Sequence, residues 1–190
     1  MNTTRFVILG LLAEGPCSGY DIKKSIEIRF RYFWNESYGQ LYPMLKELEG
    51  QDCIRELPPE EGTEAPGRKK KIYGITLRGR ELLEDWLSLP PGKELTRMEI
   101  LIKVYFGNLI APETLTDHLR GFGEAHRQDL SRLLAFQEEL TRLEALHPNH
   151  PFILATISLG IRINRAYTEW AEETARYFRE QSAPAKEESR

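Results

Sequence analysis

Four cations stand side by side at Arg68, Lys69, Lys70 and Lys71, within the stretch GRKKKIYGITLRGRELL. Neighbouring guanidinium and ammonium groups neutralise phosphates and release the counterions condensed on a nucleic-acid backbone. Taken alone, such a run is more often a solvated turn. A second group of residues, in SYGQLYPMLKELE, is suited to a groove surface. The Gln40 amide has the donor and acceptor that pair bidentately with adenine, but Gln40 three residues after Ser37 also fits a capping box. Tyr42 and Lys46 share a helix face, with Tyr42 suited to a phosphate through its hydroxyl. Tyr38 can touch DNA or pack on the core, and Ser37 is first a cap and then a phosphate donor. Tyr20, at another helix start, can donate to a phosphate or pack between helices.

Other chemistries find less support. His118 and His126 lie about two helical turns apart, yet no carboxylate or cysteine completes a metal site with them. His147 and His150 flank a proline turn. No glycine-rich phosphate loop, nucleophile elbow or paired-acid motif is present, so neither an enzyme nor a cofactor is expected. The two cysteines, Cys17 and Cys53, have neither zinc nor disulfide spacing, which fits a reducing cytoplasm.

The chain has 190 residues, enough for one large domain or two small ones. Its 26 basic and 29 acidic residues leave a net charge of -3, so a nucleic-acid site must be a local patch. The apolar start RFVILGLLAEG is short and lacks a cleavage site, and it reads as a core helix rather than a signal peptide. No stretch approaches the length of a membrane span.

The elements that must position these residues follow from the apolar spacing. Thr3 or Thr4 can cap a first helix that buries Phe6, Leu9, Leu11 and Leu12. EGPCSG breaks it, and Ser18 caps a second helix with Ile22, Ile26 and Phe30 on one face. A third helix carries Leu41, Leu45 and Leu48 toward the core. Pro43 costs it one early hydrogen bond if it starts at Tyr38, and nothing if it starts later. CIRELPPEE and RKKKIYGIT then form a hairpin around the acidic tip with Glu60, Glu61 and Glu64. Thr76 caps a fourth helix that offers Leu77, Leu82, Leu83, Trp86 and Leu87 for burial. SLPPGKEL is a break.

Beyond it, RMEILIKVYFGNL is a strongly apolar helix. A long helix follows, with a seam of Leu115, Leu119, Phe122, His126, Leu130, Leu133, Leu134, Gln137, Leu140 and Leu143. HPNHP ends it, a last amphipathic helix follows, and SAPAKEESR reads as a disordered tail.

Three helices, a hairpin and a helix in this order predict a mainly α protein with an N-terminal winged helix-turn-helix and a two-stranded wing. In that fold the third helix enters the major groove and the wing reaches the backbone or minor groove. The expected divisions are 1–88 for DNA binding, 96–181 for a helical dimerisation domain and 182–190 for the tail. The acidic tip argues against its own insertion, so contact is expected from Arg68, Lys69 and Lys70.

ILGLLAEGPCSGYDIKKSI, SYGQLYPMLKELE and GRKKKIYGITLRGRELLEDWL together resemble the PadR-like transcriptional regulators, over roughly the first half of the chain. The second half is similar, more loosely, to the C-terminal helical domain of that family's larger subgroup. One departure is Asp52, which stands where the family usually has glycine after the third helix; a left-handed residue is favoured there, and Asp tolerates this better than most. The resemblance implies a homodimeric regulator, often a repressor, on a near-palindromic DNA operator. Two apolar-seamed long helices agree, since they bury more against a second copy. Trp34, Phe106, Tyr167 and Trp170 are candidates for lining a pocket for a small aromatic effector, though an aromatic stripe is more often core. The competing reading is a winged-helix adaptor that contacts proteins and not DNA, supported by the acidic charge and tip.

Overall fold

The computed structural model describes residues 3–30, 33–34, 38–58, 71–93, 97–143 and 148–182, with only the backbone described at Tyr38 and Ser182. Arg68, Lys69 and Lys70, Ser37, the acidic hairpin tip, His147 and the tail from residue 183 lie outside these residues. The chain divides into two compact units, residues 1–93 and 94–190.

The first unit runs α1 (Thr4–Glu14), β1 (Cys17–Ser18), α2 (Gly19–Ser25), α3 (Leu41–Gly50), β2 (Ile54–Leu57), β3 (Ile72–Ile75) and α4 (Leu77–Ser88). Its core joins Phe6, Ile8, Leu9 and Leu12 of α1 to Ile22 of α2, and to Leu41, Leu45 and Leu48 of α3. Thr3 precedes α1 in a helical conformation and makes no side-chain cap; its carbonyl alone accepts from Phe6 at 3.0 Å. The expected threonine cap is therefore absent, because a capping side chain needs an extended backbone. Ser18 has that backbone. Its hydroxyl accepts from the Asp21 amide at 3.2 Å, and the Asp21 carboxylate accepts from the Ser18 amide at 3.3 Å, a complete capping box. After Ser25 the chain continues as a π-helical turn, Ile26–Phe30. The Arg29 guanidinium forks onto Glu14 at 2.6 and 2.7 Å, tying this turn back to the end of α1.

A 3₁₀ turn, Tyr38–Gln40, leads into α3, which begins only at Leu41. Pro43 thus falls in the first turn, where its missing N–H costs no helical bond. At the other end Asp52 has φ 57°, the left-handed conformation expected where the family has glycine. The Cys53 amide donates to the Leu48 carbonyl at 2.9 Å and the Asp52 amide to the Glu49 carbonyl at 3.0 Å. These two bonds are a Schellman motif closing α3.

The sheet has three strands in the order β1-β3-β2, all antiparallel. The third strand, β1, was not expected, because two residues are too short to show a period. The Thr76 hydroxyl accepts from the Gly79 amide at 3.1 Å and donates to the Asp52 carbonyl at 2.7 Å, so one side chain caps α4 and anchors it to the turn after α3. Trp86 stacks on Phe6 at 4.4 Å, and Leu82 and Leu83 pack on the core. Leu77 and Leu87, expected to be buried, are exposed. Helix phase turns them away from the face that carries Leu82, Leu83 and Trp86.

The second unit comprises α5 (Glu99–Tyr105), α6 (Pro112–Arg142) and α7 (His150–Ser182). Helices α6 and α7 pair antiparallel, with Gly123 against Ala171 and Leu133 against Gly160. A Cβ on Gly123 would lie 3.1 Å from that of Ala171, so glycine lets the helices approach closely. Leu115, Leu119 and Leu133 of the expected seam are buried, whereas Leu134 and Leu143 are exposed. A straight helix drifts away from a strict heptad, which carries the later seam positions off the contact line. Asn164 is buried at this contact; its amide donates to the Gly160 carbonyl at 2.8 Å and its Oδ1 meets His126 Nδ1 at 2.7 Å. No described helix is long and apolar enough to cross a membrane.

Candidate nucleic-acid interface

Helix α3 is two-sided. Leu41, Met44, Leu45 and Leu48 are buried, while Gln40, Tyr42, Lys46 and Glu49 are exposed. Gln40 sits immediately before the first turn of α3 and makes no cap bond to that helix, so its amide is available to a base edge. The capping-box partner proposed for it, Ser37, lies outside the described residues, as does the side chain of Tyr38.

Tyr42 is 61% exposed yet well located. Its ring lies over Gly19, where a Cβ would stand 3.1 Å from Tyr42 Cε1 and 3.1 Å from Leu45 Cδ1. The glycine that opens α2 therefore gives Tyr42 its seat. Tyr20, the next residue, is itself 58% exposed. The capped start of α2 thus carries an exposed phenol at Tyr20, and the glycine before it seats the exposed Tyr42 of α3.

The wing strands continue this surface. Tyr73 on β3 pairs in register with Glu56 on β2 and Cys17 on β1. Burial, then the Glu49 carboxylate, push the Tyr73 phenol above its ordinary value, and Lys71, Glu56 and Tyr42 also act on it. Tyr73, on wing strand β3, is thus in electrostatic reach of Glu49 and Tyr42 on α3. Lys71, last of the four cations, reaches across the hairpin to Glu56 at 2.5 Å, and that bond raises the pKa of its ammonium. Its charge is met within the protein by Glu56.

Sequence reasoning missed Glu49 and Tyr73. The signal for Glu49 was available, since it follows Tyr42 and Lys46 at i+7 and i+3. Tyr73 needed the strand pairing, which no local pattern supplies.

The aromatic residues named for an effector pocket fall in both compact units. Trp34 packs on the core of the first unit. In the second unit Tyr167 and Trp170 surround Phe122, with ring centroids 5.8 Å away in each case, and His126 lies 4.8 Å from Tyr167. Phe106 instead meets Tyr105 edge-on at 4.9 Å, and both are exposed. Among the described residues no group of three His, Cys, Asp or Glu is arranged to hold a metal.

Residues 8–85 match the model of the transcriptional regulator PadR-like family, and residues 96–179 match that of the virulence activator alpha C-terminal region. The negative transcriptional regulator PadR of Bacillus subtilis is 31% identical over 141 residues, covering 74% of this chain and 76% of that protein. The structure of Bacillus subtilis PadR in complex with operator DNA superposes with a TM-score of 0.76 at 26% identity, covering 93% of this chain and 99% of that one. The same protein in complex with p-coumaric acid gives 0.71 at 25% identity, with coverage of 93% and 99%. A winged helix whose α3 carries an exposed polar face, followed by a second matched helical region, accounts for both segments of this likeness: the chain belongs to the PadR-like family of transcriptional regulators.

Proposed function

We propose that the protein is a homodimeric, sequence-specific repressor, with residues 1–88 binding DNA, 96–181 forming the dimer and 182–190 a disordered tail. The observation that carries this reading is the outer face of α3, where Gln40, Tyr42 and Lys46 stand exposed above a fully apolar inner face. A helix of this kind fits the major groove, with Gln40 reading a base and Tyr42 and Lys46 meeting phosphates. Tyr20, Ser37 and Tyr38 add backbone contacts at its entry. Arg68, Lys69 and Lys70 follow the backbone or the minor groove from the wing.

The dimer is supported by apolar surface that one chain leaves uncovered: Ile102, Tyr105 and Leu109 around α5 are 60%, 81% and 76% exposed. Surface of this kind is stable in water when a second copy covers it. Two-fold pairing would present two reading helices to half-sites about 34 Å apart. Repression is supported by the name of the Bacillus subtilis relative, and a small aromatic effector by that protein's complex with p-coumaric acid. Such a regulator works in the cytoplasm, beside the DNA it controls.

The test is a gel-shift titration against the protein's own upstream region and a scrambled control, at two salt concentrations. Selective, salt-sensitive binding is expected. Arg68→Ala with Lys70→Ala should weaken both complexes alike and reduce the salt slope by roughly 2, whereas Gln40→Ala should narrow the gap between them. Equal weak binding to both DNAs, unmoved by these changes, would favour the adaptor. Truncation after Leu95 should give a monomer; a dimer of unchanged affinity would refute the interface.

A further inference from the structure

The hairpin register pairs Ile54 with Ile75 and Glu56 with Tyr73. Directly opposed residues share a face of the sheet, and alternate residues return to it. One face therefore holds Ile54, Ile75 and Tyr73, which belong to the core of the first unit or pack against it, with Glu56 beyond them. Lys71, two residues before Tyr73, lies on that same face and closes the diagonal to Glu56, Nζ to Oε2 at 2.5 Å. The Glu49 carboxylate of α3 acts on both Tyr73 and Lys71. The Lys71–Glu56 pair thus stands on the side of the wing that faces α3.

The pair is easily opened. Its side chains are 60% and 42% exposed, so water and salt screen the attraction. An exposed ion pair of this kind is worth a factor of only about two to five. A phosphate offers the ammonium the same acceptor chemistry as the carboxylate, and a cation that moves onto duplex DNA also releases a condensed counterion. Exchange of Glu56 for a phosphate is therefore favoured wherever the backbone comes within reach of Lys71.

We propose that Glu56 holds Lys71 in the free protein and surrenders it to a DNA phosphate in the complex, which makes the fourth cation of the wing a backbone contact and Glu56 its intramolecular competitor. This exchange rests on the DNA-binding reading above and adds Lys71 to the contacts expected from Arg68, Lys69 and Lys70. The ammonium keeps its charge and trades one anionic oxygen for another. The cost is the lost pair, together with a carboxylate left unpaired beside the backbone. Phosphates carry no sequence, so Glu56 moderates affinity for all DNA alike.

The experiment titrates the full-length protein with its upstream DNA and with the scrambled control across a series of salt concentrations. It compares the wild type with Glu56→Gln, Lys71→Gln and the double variant, all of which should melt at the wild-type temperature because both side chains are exposed. Glu56→Gln should tighten both DNAs by about two- to fivefold with the salt slope unchanged, since Lys71 already meets phosphate in the wild-type complex. Lys71→Gln should weaken both alike and lower the slope by about 0.9. In the Lys71→Gln background the gain from Glu56→Gln should shrink, because no pair remains to be broken. The opposite pattern, a slope steeper by about 0.9 in Glu56→Gln and unchanged in Lys71→Gln, would mean that Glu56 keeps Lys71 in the complex, and would overturn the exchange while leaving the DNA reading intact. A gain from Glu56→Gln of the same size in both backgrounds would reduce Glu56 to a plain repulsive charge and overturn it too. A wild type that binds neither DNA would refute the DNA reading itself, and the exchange with it.

Discussion

Gly79→Ala isolates the joint on which the wing depends. Gly79 is the third residue of α4, and its amide is capped by Thr76. A Cβ there would lie 2.1 Å from the Cys53 carbonyl oxygen and 2.9 Å from Ile75 Cγ1. Carbon–oxygen contacts settle at about 3.3 Å or more, so the seat must open by roughly 1 Å. The atom it meets is backbone, and it also accepts the Thr76 amide at 3.1 Å, so no side-chain rotation relieves the clash. Overpacking of this kind costs about 1–3 kcal/mol, and loosening the Thr76 bonds adds about 1 kcal/mol. Alanine's better helix propensity returns less than about 1 kcal/mol. The expected net loss is about 2 kcal/mol. Urea unfolding followed by tryptophan fluorescence reads it, since Trp86 stacks on Phe6 in this unit. Gly121→Ala is the matched control: nothing lies within 4 Å of a Cβ there, and α6 should gain about 0.5–1 kcal/mol. The same substitution must therefore act with opposite signs at the two positions. A Gly79→Ala protein as stable as the wild type would refute the seating of α4 on the turn after α3.

Three further outcomes are expected. Asp52→Gly should raise the urea midpoint, by about 0.5–1 kcal/mol, because it removes a side chain from a left-handed backbone; an unchanged or lower midpoint would show that the Asp side chain holds that turn. Asn164→Ala should destabilise the helical unit by about 1–3 kcal/mol in the same assay, since it leaves His126 and the helix contact without a buried partner. Burial first, then Asp21 and Glu14, push the Cys17 thiol above its ordinary range. Its contribution to stability is therefore fully present below the ordinary thiol pKa and is lost as pH rises through the folded value. In a Cys53→Ala background iodoacetamide should modify Cys17 more slowly than free cysteine at pH 8, and a faster reaction would contradict its setting.

What was legible in the sequence is what local chemistry decides. The Ser18 and Thr76 caps, the apolar face of α3 and the left-handed residue at Asp52 each depend on neighbours within a few residues. The failures are of two kinds. Thr3, Leu77, Leu87, Leu134 and Leu143 are the right residue types, yet helix phase and backbone conformation, fixed by packing, put them to other uses. Strand β1 and the Tyr73 environment arise from pairings far apart in the chain. The placing of Arg68, Lys69 and Lys70 on the wing rests on sequence and family pattern, since the described strands end at Leu57 and resume at Ile72.

An acidic protein that binds DNA must also manage its own carboxylates, and Glu49 is where this becomes measurable. It is exposed on the face that carries Tyr42 and Lys46, and its charge is felt at Tyr73. Beside a phosphate backbone it repels, and that cost is similar on every sequence. On the α3 face proposed to meet DNA it therefore lowers operator and scrambled affinity by similar factors. Glu49→Gln removes the charge and keeps the shape. Binding to scrambled and to operator DNA should tighten by a similar factor, about several-fold, and the ratio between them should hold. The gel shift with both DNAs measures each quantity directly. If operator binding instead weakens while scrambled binding holds, Glu49 is accepting a hydrogen bond from a base, as a carboxylate does from cytosine N4, and the repulsion argument fails.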